Sequence, residues 1–156
     1  MTSKVIVQYD TEKKKVRIST PSPEYVARKL AEGMSETAIY QELANRVCSD
    51  PHVVMERSEL PTSRYFRNCW KLDKGKVCVC EESAKSQKMA EIREKRNERL
   101  AALDGEELKN LSMGYDGKLT EVRQKKQALR DLPENVILDG LTLDELEKFS
   151  HPMLEG

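Results

Sequence analysis

Four cysteines and two histidines are the side chains here best suited to nucleophilic or metal chemistry: Cys48, Cys69, Cys78, Cys80, His52 and His151. Their spacing does not assemble a metal centre. Zinc sites bring ligands together as C-x-x-C or as Cys/His pairs at helical spacing. Cys78-Val79-Cys80 has a single intervening residue, which puts both thiols on one face if the segment is a strand. Cys48 or Cys69 could pair with His52 as thiolate and imidazole, but nothing in the sequence places a third orienting group or oxyanion donors beside them. His151 precedes Pro152 in a polar tail and reads as exposed. Neither G-x-G-x-x-G nor G-x-x-x-x-G-K-[ST] occurs, so no phosphate loop is expected. The neighbouring acids Glu81-Glu82 and Glu106-Glu107 diverge on a helix and read as solvated faces. The expectation is a chain without catalytic residues, metal or cofactor, and not an enzyme.

A second constellation is chemically distinctive in another way. The stretch ELPTSRYFRNCWKL, residues 59–72, holds Tyr65, Phe66 and Trp70, three of the chain's eight aromatics, with Arg64 and Arg67 among them. Single-strand nucleic-acid binders combine aromatics with Arg or Lys, but they spread them over several strands of a basic groove. This chain has 27 basic and 27 acidic residues, a balance that gives no general attraction to nucleic acid or anionic lipid. The reading adopted is that Phe66 and Trp70 anchor a core on a helical turn. Arg64, Tyr65 and Arg67 then form a rim for protein binding, where aromatics and Arg are favoured.

These residues need elements to hold them. Residues 3–20 alternate at Val5, Val7 and Tyr9 and again at Val16 and Ile18, which predicts a hairpin with a polar connection at Asp10–Lys15. The three lysines of that connection read as a solvated loop tip. A helix follows over PEYVARKLAEG, ended by Gly33 as a left-handed cap. Ser35 caps the next helix, with Ala38, Ile39, Leu43 and Val47 on one face. The helix–Gly–helix unit resembles a helix-turn-helix, but Pro51 and the β-branched pair Val53-Val54 follow where a recognition helix is needed. His52–Glu56 and Lys76–Cys80 read as short strands, with the aromatic segment as a loop between them and a tight turn at Asp73-Lys74-Gly75.

From Ser83 the composition changes to strong helix formers. A helix over Ala84–Leu111 would be roughly 40 Å long at 1.5 Å per residue. Its stripe is Met89, Ile92, Leu100 and Leu103, interrupted by Arg96, and Gly105 is a candidate bend. After a turn at Gly114–Gly117, a second helix carries Leu119, Val122, Leu129 and Leu132 and ends at Pro133. The short connection and matched stripes predict an antiparallel helical hairpin. Thr142 or Asp144 would cap a last short helix over Leu143–Phe149. Residues 83–131 carry 12 basic and 9 acidic side chains, and residues 132–156 carry one Lys and six acids.

The fold class expected is α+β: a head at 1–82, a helical hairpin arm at 83–133, and an acidic tail at 134–156. No apolar run reaches the ~20 residues that span a bilayer, and the first residues lack the apolar core of a secretory signal. A cytoplasmic chain with reduced thiols is expected.

The order of certain motifs adds a resemblance. Gly33-Met34-Ser35 precedes a strand. Leu60-Pro61, Arg64, Phe66-Arg67 and Trp70 follow in the pattern L-P-x-x-R-x-F-R-x-x-W. The arm holds Ile92-Arg93-Glu94, Arg96 and Arg99-Leu100-Ala101-Ala102-Leu103-Asp104, then KKQALRDLP at Lys125–Pro133. This resembles a group of small tailed-phage and prophage proteins described as tail or tail-fibre assembly proteins. The resemblance implies a chaperone that binds a fibre's tip or C-terminal region and helps it fold, trimerise or attach. It further implies a phage tail or tail-fibre protein as partner, in the host cytoplasm during assembly. No nucleic acid and no membrane are expected as partners, while self-association through the arm is an option. A structural component of the virion tail is the alternative, and a nucleic-acid-binding regulator ranks third. Cys78-Val79-Cys80 departs from that family pattern.

Overall fold

The computed structural model describes residues 4–47 and 51–155. The chain divides into two compact units, Met1–Cys80 and Glu81–Gly156.

The first unit is built around one strand. Strands β1 (Lys4–Asp10), β2 (Lys15–Ser19) and β3 (His52–Glu56) form an antiparallel sheet of order β2-β1-β3. The register pairs Val7 with Ile18 and with Val53. Alternation sends Val5 and Val7 to one face, where they meet Val16, Met55, Leu60, Trp70 and Val77. Ile6 points to the other face and meets Tyr40 and Ala44. The run Val5-Ile6-Val7 is apolar throughout because both faces of β1 are covered.

Asp10 closes the β1–β2 connection. Its carboxylate accepts from the Lys13 backbone N–H at 2.9 Å and pairs with Arg17 at 2.8 Å. The Lys13 hydrogen bond, reinforced by the Arg17 charge, holds its pKa below the usual carboxylate range. The lysines around it are exposed, as expected of a loop tip.

Helix α2 (Glu36–Val47) covers the Ile6 face, and α1 (Pro23–Ala31) packs against α2. Ser22 accepts from the Tyr25 N–H at 3.2 Å and caps α1. Gly33, at φ 90°, lets Met34 donate back to the Lys29 carbonyl, so the expected cap is present. Ser35 caps α2 through the Ala38 N–H at 3.2 Å. The inward face of α2 differs from expectation. Ile39, Tyr40 and Ala44 are buried, whereas Ala38 and Val47 are exposed. Val47 lies near the end of α2, where β-branched character alone does not ensure burial.

The aromatic segment ends in a strand that the sequence reading takes as loop. Trp70–Asp73 is β4, paired antiparallel with β5 (Lys76–Val79). Lys74 at φ 49° and Gly75 at φ 75° form the two-residue turn between them, the left-handed pair that matches strand twist. Lys rather than Asn precedes the Gly, so the turn signal is weak.

In the second unit, α3 (Glu81–Met113) and α4 (Asp116–Asn135) pack as the expected helical hairpin. Gly105 neither bends nor interrupts α3, which is continuous over 33 residues. The turn is also tighter than expected, since Asp116 and Gly117 already belong to α4. Pro133 does not end α4, which continues to Asn135. Proline removes its own N–H from the ladder there, but the helix closes past it, and the Val136 N–H still reaches the Leu132 carbonyl at 3.0 Å. Leu103, Leu119, Val122, Leu129 and Leu132 are buried along the seam, and Leu100 is half-buried.

The acidic segment lies against this hairpin. Helix α5 (Leu143–Lys148) has a reciprocal capping box between Thr142 and Glu145, and α6 (Pro152–Glu155) follows. Both contact α3, burying Leu146 and Leu154. His151 is half-buried, and its Nδ1 accepts from the Met153 N–H at 3.2 Å. That role at the start of α6 replaces the exposed position expected from sequence.

Candidate functional site

The segment 59–72 folds as a succession of tight turns. Residues Arg57–Glu59 form a 3-10 turn stapled by Glu59, whose carboxylate accepts from the Glu56 N–H at 2.8 Å. Leu60 then drops into the core beside Met55. The Tyr65 N–H donates to Ser63 Oγ at 3.3 Å, Arg67 N–H to the Arg64 carbonyl at 3.1 Å, and Cys69 N–H to the Phe66 carbonyl at 2.8 Å. This curl separates the aromatics by depth. Phe66 and Trp70 are 3% and 2% exposed, Tyr65 and Arg67 are half-buried, and Arg64 is exposed. The four-residue separation of Phe66 and Trp70 is spanned by a 3-10 turn, Arg67–Cys69, leading into β4.

Four of the five residues singled out in the sequence are layered in two pairs, and Arg64 is exposed next to Tyr65 in the chain. The Arg67 guanidinium lies 5.3 Å from the centre of the Trp70 ring, a cation–π distance. Tyr65 and Phe66 meet edge to face with centroids 4.7 Å apart. The rim groups are thus positioned by partners fixed in the core. Among the described residues, no acceptor reaches Trp70 Nε1. The indole therefore contributes through its area and its face rather than through its N–H.

A second surface lies at the turn end of the helical hairpin. Leu108, Leu111, Met113 and Tyr115 are 67%, 57%, 56% and 46% exposed. Lys118 Nζ sits 5.0 Å from the Tyr115 ring centre. The sequence reading assigned no role to these residues, although their position outside the inward stripe was visible.

Between the helices, a charged cluster joins α3 to α4. Glu107 accepts from Arg123 Nε at 2.8 Å and from Lys126 Nζ, and Lys126 also reaches Asp104 at 2.6 Å. Hydrogen bonds from Arg123 and then Lys126 lower the Glu107 pKa to about 2. Those from Asp104 and Glu107 raise that of Lys126. Glu107 is therefore a bridging group, not the solvated acid that its adjacency to Glu106 implied. Lys88, 6% exposed, donates to the Glu147 carbonyl at 3.2 Å and tethers α5.

His52 is half-buried in β3 opposite Gln8. Cys48 lies outside the described residues, so the Cys48–His52 pairing has no geometry here. Among the described residues, no group of three His, Cys, Asp or Glu side chains could hold a metal ion. No described helix is long and apolar enough to cross a membrane. After α2 the chain forms β3, in line with the expectation at Pro51.

No family model, curated protein or solved structure matches this chain.

Proposed function

We propose that this protein is an assembly chaperone or accessory protein for a phage tail or tail fibre, acting by binding and performing no bond chemistry. The observation that carries this reading is the patch in which Tyr65 and Arg67 are held against buried Phe66 and Trp70, with exposed Arg64 next to them in the chain. Aromatic and Arg groups preset by a core lose little freedom on binding, which is what an interface centre needs. The motif L-P-x-x-R-x-F-R-x-x-W that underlies the phage resemblance is the same segment that builds the patch. The client would be a fibre subunit whose apolar surface is covered until trimerisation replaces the contact. Release requires moderate affinity, so binding in the micromolar range, roughly −8 kcal/mol, is expected.

Co-expression tests this. A candidate fibre subunit should be more soluble with this chain than without it. The double change Arg64→Ala and Arg67→Ala should abolish the gain while leaving the circular dichroism spectrum intact. Equal solubility with and without the chain rejects the chaperone reading.

The alternative is a structural component of the virion tail. It is favoured by the exposed Leu108, Leu111, Met113 and Tyr115, a cluster suited to permanent cover. Stoichiometric recovery of the chain in purified particles would support it.

A further inference from the structure

Two hollows of about 320 and 480 Å³ adjoin along the α3–α4 hairpin, because Glu106 and Lys125 line both. Together they make one groove. Its α3 wall is Arg99, Leu103, Glu106, Asn110 and Met113, spaced three or four apart on one helical face. Its α4 wall runs from Tyr115 and Lys118 through Val122 to Lys125 at the same spacing. From Arg99 to Met113 the groove is about 21 Å long at 1.5 Å per residue, room for about four helical turns. We propose that this groove receives an acidic amphipathic helix of a partner protein.

Its lining gives the apolar half of the match. Leu103 and Val122 are buried and form the floor, while Met113 and Tyr115 remain 56% and 46% exposed at one end. A floor of this kind between polar rims suits a helix that lays down an apolar stripe.

Charge gives the other half. The rims carry four cations, Arg99, Lys109, Lys118 and Lys125, against two carboxylates, Glu106 and Glu121. Among the described residues, Arg99, Lys109 and Lys125 have no carboxylate partner, and no acceptor reaches the buried Nε of Arg99. Elsewhere on the same two helices the cations are committed, Arg123 to Glu107 and Lys126 to Glu107 and Asp104. The groove thus holds the hairpin's uncommitted positive charge, which favours an acidic partner and disfavours a basic one.

The hairpin already accepts this chemistry from its own chain. Helices α5 and α6 carry Asp144, Glu145, Glu147 and Glu155 around Leu146 and Leu154, and they pack on α3 through those leucines. Ahead of them, Asp139 pairs with Lys85 at 2.9 Å. The groove starts at Pro152 and Met153 of α6 and so continues that interface along α3. It belongs to the second unit and stands independently of what the aromatic patch binds.

The test is fluorescence anisotropy of the full-length protein with labelled synthetic peptides of about 14 residues, the length of the groove. One has Leu at every third or fourth position and Glu between. A second replaces Glu by Lys, and a third replaces Leu by Ser. The Leu/Glu peptide should bind saturably and more weakly at high salt, and both controls should bind at least about tenfold more weakly. Lys109→Glu with Lys125→Glu should cause a loss of similar size, while Lys95→Glu outside the groove and Arg64→Ala with Arg67→Ala should cause none. On the unmodified protein, carbodiimide, which joins carboxylates to amines, should link the peptide to Lys109, Lys118 or Lys125. Equal binding of the Lys peptide, or links only at other lysines, would overturn the proposal. So would a stable homodimer by light scattering that the Lys109→Glu and Lys125→Glu pair dissociates, because a second copy would then fill the groove.

Discussion

At the scale of single residues, Glu107 shows how a surface acid becomes a structural link. Adjacent Glu106 is exposed, while Glu107 is clamped by Arg123 and Lys126 from the facing helix. Its pKa falls from an ordinary 4.5 to about 2. A depressed carboxylate stabilises the fold fully above the unfolded value and loses that contribution as pH falls through the folded one. Glu107→Gln should therefore destabilise the protein near neutral pH. The difference from the parent should shrink between about pH 4.5 and pH 2, measured by urea melts at a series of pH values. High salt should shrink it too, because the cluster is partly exposed. None of this was legible in the sequence. Salt bridges between helices depend on rotation and register, and no fixed sequence spacing encodes them. The aromatic patch was more legible, because Phe66 and Trp70 are large apolar groups in a charged chain and burial was their strongest tendency.

At the scale of elements, long periodic segments were read well and short ones poorly. Helices α1 to α5 were recognisable from caps and stripes. Gly105 was the misleading residue, since a glycine signals a bend only when the surrounding packing does not hold the helix straight. It lies in the interior of α3, and a Cβ there would meet nothing within 4 Å. Gly105→Ala should raise stability by roughly 0.5–1 kcal/mol, by removing backbone freedom from the unfolded chain. Differential scanning calorimetry should show a higher Tm, and a lower one would mean the position is under constraint. Strand β4 was missed because its four residues, WKLD, are too few to display a period of two. Helix α6 was missed because it is only four residues long, starting at Pro152, too short to show a helical period.

At the scale of the whole molecule, the composition change near Ser83 pointed to the division that falls between Cys80 and Glu81. What the change did not reveal is that residues 134–155 share a compact unit with the hairpin. Leu138, Leu146 and Leu154 supply apolar contacts that acidity obscured. Since residues 81–156 bury their own core, a fragment of that range should fold alone. Its circular dichroism should be strongly helical with a cooperative thermal transition, and a gradual, non-cooperative melt would contradict this. The α+β class was legible because β-branched alternation and strong helix formers occupy separate parts of the chain. The other unit has a different character. Ile6 plugs the layer beneath Tyr40, while its neighbours Val5 and Val7 plug the layer above Trp70. Three consecutive residues thus act as a common wall between two rooms. Neither room can be emptied while the other stays furnished, and loosening at either Tyr40 or Trp70 must be felt on the opposite side.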